Sequence, residues 1–552
     1  MRFVHVRQFR LFDRHALWFV LANWLLISLV IRAGALAEPL TSPPAPLRQS
    51  TQKSQDNSQA RNVDLGINFA GPKDWSTELP MADIFRHSRA WISQRQGASW
   101  GQGPPLKLDA HGNVKALEPN CFAETPIINV SGGHYPSGAY RLSFQGNGKI
   151  EIRGAGELVS LEPDASGQSR GLINVDSVRG PMWLRIMQTD PDDPIRDIRV
   201  VVPGHGSGTQ NPWRANFIET WSMMATFRSM DWQHTNGSTI ATIDDLPKVT
   251  DQRFTEHGYP IEWIIDFANR TQRNPWICIP HLANDALVRH IARLCRDSLQ
   301  PGLKLYVEYS NEVWNDQFAQ AKYAAEQGIA LGFAKKPWEA RWAFTAKRSI
   351  EIFRIFEDVF GATDQFVRVL PSQSANPYVG QQIIERALSL GDADALAIAP
   401  CISLNVKPVD ADAVIRGGVD EVFRRLRDES LPKTVDAMKR NAELAREHGL
   451  RLIAYEAGQH AVGIQAAQNN AALTEILTTA NGDDRMTALY ADYLSAWEHA
   501  GGGLMCLFSS TSQWDNYGSW GLRQYSDEPL MSSSKFRGVA EFAKSRKLPG
   551  WQ

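Results

Sequence analysis

The middle of the chain reads Tyr306-Val307-Glu308-Tyr309-Ser310-Asn311-Glu312-Val313-Trp314. It is a short, largely apolar run that passes directly into polar residues, which is typical of a buried strand ending at a loop. Comparable runs recur on both sides, with helical patterns between them, at 226–230, 276–279, 305–309, 366–370, 395–399, 452–455 and 504–508. Strands that alternate with helices in this way predict βα units and a parallel sheet.

One more apolar run, at 66–69, brings the number of predicted strands to eight. Eight parallel strands with intervening helices close into a (β/α)8 barrel, so we predict an α/β fold of the TIM-barrel type. A doubly wound open sheet is the competing fold. It usually carries a glycine-rich phosphate turn after its first strand, and Gly71-Pro72 is not such a turn.

The pattern changes after the first predicted strand. Apolar residues at 81–92 keep to one helical face, which predicts a first helix, whereas from about 97 to 203 they alternate at period two. The glycines of Gly146-Asn147-Gly148 predict a hairpin turn within this region. We therefore expect a β-sandwich domain over 97–205, inserted after the first βα unit, and a barrel formed by 63–96 and 206–552.

The N-terminal region has the composition of an export signal. Four arginines precede an apolar run, and Ala35-Leu36-Ala37 follows, which predicts a signal peptide over 1–37. Residues 38–62 are rich in Pro, Ser and Gln and predict a disordered linker. We expect a secreted or periplasmic protein, or a membrane-anchored one if the signal segment stays uncleaved.

Composition excludes several classes of function. The net charge is −2 with scattered charges, so nucleic acid is not an expected partner. The five cysteines have neither CxxC spacing nor a disulfide framework, and we expect Cys278, Cys401 and Cys506 to lie in the core. HExxH, GxSxG and Walker motifs are absent from the sequence, and we predict neither a metal nor a cofactor.

Two carboxylates lie at strand tips, Glu312 at the fourth predicted barrel strand and Glu456 at the seventh. In a barrel the active site lies at the C-terminal ends of the strands, and these two strands lie on opposite sides of the ring. Carboxylates about 5 to 5.5 Å apart support double displacement at a glycosidic carbon. The pair therefore predicts acid–base and nucleophilic chemistry on a sugar.

The residues around this pair resemble the motifs of the clan A retaining glycoside hydrolases. The stretch 308–312 is similar to that clan's fourth-strand motif, and Glu456-Ala457-Gly458 to its seventh-strand nucleophile motif. The resemblance implies that Glu312 is the acid/base and Glu456 the nucleophile. It also implies that Asn311 binds the sugar 2-hydroxyl and that Arg228 is the second-strand arginine near the nucleophile.

The sequence departs from the clan's pattern at three places. Val313 stands where a proline often follows Asn-Glu, and no aromatic residue or histidine is evident around Pro400-Cys401. The tryptophan expected at the eighth strand could be Trp514, or it could be replaced by Phe508.

Further candidates follow strand ends. His281, Trp314 and Trp514 are predicted substrate-binding residues, although each of them could equally serve packing. The same two readings, contact with substrate or a structural role, stay open for Trp232, Trp520, Asp231 and Asp515. Glu308 is better explained as part of a barrel-interior salt bridge, with Arg228 as the candidate partner, than as a catalyst, because a buried carboxylate needs a partner.

Together these features predict a secreted glycoside hydrolase that cleaves β-glycosidic bonds in a polysaccharide or oligosaccharide with retention. Two alternatives stay open. One is a non-catalytic polysaccharide-binding protein, such as a cellulose binder, and the other is a transglycosylase that uses the same two glutamates.

Overall fold

The computed structural model describes residues 63–206 and 211–551 of the 552-residue chain. The predicted signal peptide at 1–37 and linker at 38–62 lie outside the described residues. Within the described ranges no helix has both the length and the apolar character needed to span a membrane.

The chain enters the described structure through strand β1 (Leu65–Asn68) and then forms only a 3-10 turn at Ile84–His87. The predicted helix at 81–92 is therefore wrong, and no α-helix directly follows β1. Met81 packs in the core of the barrel, whereas Ile84 and Phe85 pack in the core of the neighbouring antiparallel sheets. These apolar residues are therefore spaced to reach two different cores, and they do not form one face of a helix.

Between β1 and the next barrel strand the described residues form ten strands. Eight of them make two four-stranded antiparallel sheets, β2-β5-β10-β7 and β11-β6-β9-β8. The bounds are β2 (Ile92–Arg95), β3 (Lys107–Leu108), β4 (Val114–Ala116), β5 (Cys121–Ile128), β6 (Gly138–Gln145), β7 (Gly148–Gly154), β8 (Gly156–Pro163), β9 (Ser169–Val175), β10 (Met182–Thr189) and β11 (Arg196–Val201). The two larger sheets share one hydrophobic core, as expected of a sandwich. The domain limits themselves stay a prediction.

The hairpin predicted at Gly146-Asn147-Gly148 is wrong, because β6 and β7 lie in opposite sheets. The Asn147 N–H donates to the Asp193 carbonyl at 2.8 Å, and the Asp190 N–H donates to the Asn147 carbonyl at 2.9 Å. The glycines thus allow a close crossing from one sheet to the other. Alternation along each strand does not reveal which strand is its partner.

The remaining strands complete a closed parallel barrel in the order β1-β12-β13-β14-β15-β16-β18-β20, and the predicted (β/α)8 fold is confirmed. The bounds are β12 (Thr226–Arg228), β13 (Asn274–Ile279), β14 (Leu305–Tyr309), β15 (Phe366–Pro371), β16 (Ala395–Ile398), β17 (Ile402–Val406), β18 (Arg451–Ala454), β19 (Gln459–Gly463) and β20 (Met505–Phe508). Strands β17 and β19 form a separate parallel pair just after β16 and β18.

Helices surround the barrel and bury one face each against it. They are α1 (Ala215–Trp221), α2 (Ile261–Thr271), α3 (Asp285–Ser298), α4 (Ala319–Ala330), α5 (Pro337–Phe360), α6 (Pro377–Leu388), α7 (Pro408–Arg425), α8 (Leu431–Glu447), α9 (Ala471–Gly482), α10 (Arg485–Ala500) and α11 (Ser534–Ser545). A second, smaller apolar cluster fills the barrel interior, including Trp276, Tyr306, Val369, Ile453 and Cys506. Because this interior is packed, the barrel has no open pore, and polar groups at the C-terminal ends of the strands lie above a layer of buried side chains.

Candidate active site

Arg228, the last residue of β12, is fully buried inside the barrel. Its Nε and Nη2 donate to the two carboxylate oxygens of Glu308 at 2.9 and 3.1 Å. The Trp276 indole Nε1 donates to the same carboxylate at 2.8 Å. A buried ion pair is tolerated when its remaining hydrogen-bonding capacity is met in this way. The salt bridge expected of Glu308 is therefore present.

The outer edge of the same guanidinium faces the mouth of the barrel. Nη1 donates to Asn68 Oδ1 at 3.2 Å and to Glu456 Oε1 at 3.1 Å, and Nη2 donates to Asn311 Oδ1 at 2.7 Å. Glu456 lies two residues beyond the end of β18, and its side chain is 15% exposed. One arginine thus brings three of the predicted site residues together: itself, Asn311 and Glu456.

Glu312 lies beyond the end of β14 in a tight turn. Its backbone φ is +41°, in the left-handed region that residues with a side chain rarely adopt, and Ser310 has a φ of +56°. The Asn315 amide donates to Glu312 Oε2 at 3.0 Å, and the Tyr455 hydroxyl lies 3.4 Å from Oε1. Unusual backbone conformations of this kind often occur at functional sites.

The two glutamates influence each other's ionisation. Burial raises the pKa of Glu456, and so does the negative charge of Glu312, whereas the Arg228 guanidinium opposes the increase. Burial also raises the pKa of Glu312, opposed by the hydrogen bond from Asn315. Like charges in one partly desolvated site favour a state with a single shared proton. Because Arg228 donates directly to Glu456, we place the negative charge on Glu456 and the proton on Glu312.

Asn311 is held by a small amide network that the sequence did not reveal. Its Nδ2 donates to Asn236 Oδ1 at 3.0 Å. Gln320 Nε2 donates to the same Asn236 oxygen at 2.7 Å and to the Asn311 carbonyl at 2.9 Å. Asn236 lies in the loop after β12 and Gln320 lies in α4, positions where polar residues are ordinary, so no sequence signal marked them.

Tyr455, the residue before Glu456, is a further site residue that sequence reasoning missed. Its hydroxyl accepts from Trp314 Nε1 at 3.2 Å and lies 3.3 Å from the Ser372 carbonyl as well as close to Glu312. Trp314 is partly buried and packs against the main core. Alternation along the run 452–455 offers a signal for Tyr455, because it places this ring inside the barrel with Ile453.

Tyr455→Phe is expected to lower kcat/KM by up to about tenfold, the effect of losing one ordinary hydrogen bond. The Tyr455 hydroxyl lowers the pKa of Glu312, so its removal should raise that pKa further. The alkaline limb of the kcat/KM profile should then move to higher pH. The measurement is a pH profile of wild type and variant, and an unmoved alkaline limb would show that this hydroxyl does not act on Glu312.

Two predicted substrate-binding residues, His281 and Trp514, contact other side chains at the ends of the strands. His281 is buried, its ring contacts Tyr323 edge-to-face at 5.4 Å, and burial lowers its pKa to about 4. The Trp514 ring lies under the Lys535 ammonium at 4.5 Å. These contacts do not show whether either side chain reaches a substrate, so the substrate-binding roles of His281 and Trp514 stay predictions.

Two other tryptophans at strand ends, Trp232 and Trp520, make ring contacts within the protein. Trp232 is fully buried and stacks on Phe69 and Trp213 at 4.7 and 5.2 Å. The Trp520 ring meets His460 edge-to-face at 4.5 Å. For Trp232 the structure favours loop packing over a sugar platform.

Two further groups lie in the electrostatic field of the pair. Cys401 follows β16, and its pKa is raised by burial and by the charges of Glu456 and Glu312. It occupies the place where the clan resemblance leads us to expect an aromatic residue or a histidine. Asp231 follows β12, and burial raises its pKa to about 6 against the opposing charges of Arg228 and Lys73. It is a third carboxyl group beside the site.

A metal centre is not formed by the described residues, since no group of three or more His, Cys, Asp or Glu side chains among them is arranged to hold an ion. The arrangement instead offers one carboxylate paired with arginine and one carboxyl group that holds a proton. Such a pair supports nucleophilic attack together with acid catalysis.

The fold and site together define a (β/α)8 barrel with an acidic pair at its C-terminal mouth. No family model matches the sequence, and no curated protein matches it. Solved structures match part of the chain, and the three described next have low sequence identity and low TM-scores. An endo-β-1,4-mannanase of glycoside hydrolase family 26 from Cellulomonas fimi has 11% identity, a TM-score of 0.33, and coverage of 59% of this chain and 66% of its own.

A Bacteroidetes-affiliated family 5 cellulase, linked with a polysaccharide utilization locus, has 11% identity, a TM-score of 0.33, and coverage of 63% and 87%. A broad-specificity family 5 endoglucanase from Clostridium longisporum has 9% identity, a TM-score of 0.34, and coverage of 60% and 88%. Similarity at this level carries no inference about the chemistry of this chain. The function proposed below therefore depends on the residues of the site.

Proposed function

We propose that this protein is a retaining glycoside hydrolase that cleaves β-glycosidic bonds in a polysaccharide or oligosaccharide. One observation carries the proposal: the buried Arg228 donates a hydrogen bond to Glu456 at 3.1 Å, while Glu312 extends from another strand without a direct cation partner in the described structure. A pair of carboxyl groups with different proton affinities matches the two roles of double displacement. Glu456 is the nucleophile and Glu312 the acid/base.

In the first step a Glu456 oxygen attacks the anomeric carbon and forms a glycosyl ester. The bond from that carbon to the leaving oxygen breaks, and the Glu312 proton passes to the departing alcohol. In the second step Glu312 takes a proton from water, whose oxygen attacks the same carbon while the ester bond breaks. Two inversions return the original configuration, and both glutamates regain their starting protonation states.

The neighbouring residues position this pair. Arg228 orients Glu456 and keeps it ionised, and it also fixes the Asn311 amide, which we propose binds the sugar 2-hydroxyl. Tyr455 and Asn315 hold the Glu312 carboxyl group. Such preorganised hydrogen bonds stabilise charge as it develops in the transition state. We further propose that Trp314 contacts substrate and that the protein is exported through its N-terminal segment.

The test is hydrolysis of a panel of β-linked polysaccharides and aryl β-glycosides by the purified protein. Release of reducing sugar, with the β-anomer appearing first by NMR, is the expected result. An α-anomer appearing first would contradict retention. A protein that cleaves nothing yet binds one glycan would support a binding function, and sugar transfer to an acceptor in place of water would identify a transglycosylase.

The pH dependence of kcat/KM should be bell-shaped, because the reaction needs one ionised and one protonated carboxyl group. Activity should rise as the pair loses its first proton and fall as it loses its second. Since burial raises the pKa of both glutamates, both limbs should lie above the titration range of exposed glutamates. Initial rates from pH 4 to 10 on one aryl glycoside provide the measurement, and an optimum at the acidic end of that range would contradict it.

A further inference from the structure

The sandwich has a cleft of about 320 Å³ that is separate from the barrel mouth. It lies on the outer face of the sheet β2-β5-β10-β7, beneath the loop at 96–103. Arg185 and Glu124 are direct cross-strand partners, and Gln94 pairs with Phe122. Because residues two apart on a strand share a face, Phe122 and Glu124 both face this cleft. The residues that line it also include Trp100 and Arg95.

The polar groups of the cleft are linked and fixed. The Arg185 Nε donates to Glu124 Oε1 at 2.5 Å, and the Gln94 amide oxygen accepts from the Gly101 N–H at 2.9 Å. Glu124 and Gln94 are only 2% and 4% exposed, although they lie on the outer face of the sheet. The loop above them therefore encloses a recess lined with an amide, a carboxylate and a guanidinium. Among the described residues the Arg185 Nη groups have no hydrogen-bond partner.

Aromatic surface completes the cleft. Trp100 is 44% exposed, and the Arg185 guanidinium lies 4.6 Å from the centre of the Phe122 ring. An exposed ring beside fixed planar donors and acceptors matches a ligand with one apolar face and a rim of hydroxyl groups. Glu124 neutralises Arg185, so only Arg95 at the edge adds positive charge, which favours a neutral ligand over an anionic one.

We propose that this cleft binds a short segment of a neutral β-linked glycan and holds the polymer near the catalytic barrel. The identity of the ligand rests on the proposed hydrolase function, whereas the existence of the site rests on the cleft itself. Trp100 would stack on a sugar ring, and the Arg185 Nη groups would contact hydroxyls, while Gln94 holds the loop that carries Trp100 through the Gly101 N–H.

The test uses the full protein carrying Glu312→Gln, so that bound glycan is not consumed. Titration calorimetry with neutral hexasaccharides of β-1,4-glucose, β-1,4-mannose, β-1,4-xylose and β-1,3-glucose should reveal two sites per chain for one of them. Adding Trp100→Ala should abolish one site or weaken it by about tenfold or more, as expected for loss of an aromatic anchor. Gln94→Ala should weaken the same site.

Trp338→Ala is the matched control, because Trp338 is 47% exposed on α5 and lies outside the cleft. In the otherwise native protein, Trp100→Ala should raise KM for the polymer and leave hydrolysis of an aryl glycoside unchanged. Binding that is equal in the Trp100→Ala, Gln94→Ala and Trp338→Ala proteins would overturn the cleft site while leaving the hydrolase proposal intact. If the native protein cleaves nothing, a binding loss confined to the cleft variants still supports the site.

Discussion

Shortening Glu456 to glycine is expected to lower kcat on β-glycosides by about 10⁴-fold or more, because the nucleophile acts in a unit with the acid/base. Azide should restore part of the rate by occupying the space of the lost carboxylate. The product should be the α-glycosyl azide, since only one inversion then takes place. NMR assignment of the anomeric configuration of that product tests whether Glu456 is the nucleophile.

Glu312→Gly is the matched experiment at the other carboxyl group. It should lower kcat by about 10² to 10⁴-fold on substrates with poor leaving groups, the usual contribution of general acid catalysis. Dinitrophenyl glycosides need little protonation, so their first step should be nearly unaffected, and azide should give the β-glycosyl azide. If both variants gave the same azide anomer, the assignment of the two roles would be wrong.

Arg228→Ala is expected to lower the free energy of unfolding by about 3–5 kcal/mol, the cost of leaving a buried ion without its partner. Glu308 and Arg228 both have side chains that are 0% exposed, so the carboxylate left behind has no route to water. Urea unfolding followed by tryptophan fluorescence measures the effect. Activity should also fall, because Glu456 and Asn311 lose their common donor.

Two controls separate stability from catalysis. The double variant Arg228→Met with Glu308→Leu removes both charges, and it should be less destabilised than Arg228→Ala alone because no unpaired ion remains. Glu308→Gln retains the Arg228 contacts with Glu456 and Asn311 and should keep more activity than Arg228→Ala. An unfolding midpoint for Arg228→Ala equal to that of wild type would show that this network does not stabilise the barrel.

Much of the barrel followed from local pattern. The run predicted at 305–309 matches β14 (Leu305–Tyr309), and the other barrel strands begin or end within two residues of their predicted limits. Buried parallel strands appear in the sequence as continuous apolar runs, because both faces of the sheet are covered by other parts of the protein. The helix predicted at 81–92 was wrong, because the apolar residues of this region divide between two cores.

The site was predictable only in part. Glu312 and Glu456 were marked by their place at strand ends, and Arg228 by its place on the second barrel strand. Asn236, Gln320 and Tyr455 join the site through side-chain hydrogen bonds, which hydrophobic pattern does not report. His281 and Trp514 also follow strand ends and contact Tyr323 and Lys535, and their substrate-binding roles stay predictions.

The sequence by itself determined the eight barrel strands, the presence of a β-rich segment between the first two, and the two carboxyl groups at strand ends. These features depend on periodicity over a few neighbouring residues, which the chain carries locally. Tertiary structure alone decided that β6 and β7 join opposite sheets, and it alone set the surroundings that shift the pKa values of the two glutamates. Arg228 meets Glu308, Asn68 and Glu456 across 80, 160 and 228 positions of sequence. Burial and charge at such a contact come from residues far apart in the chain, so they exist only once the barrel has closed.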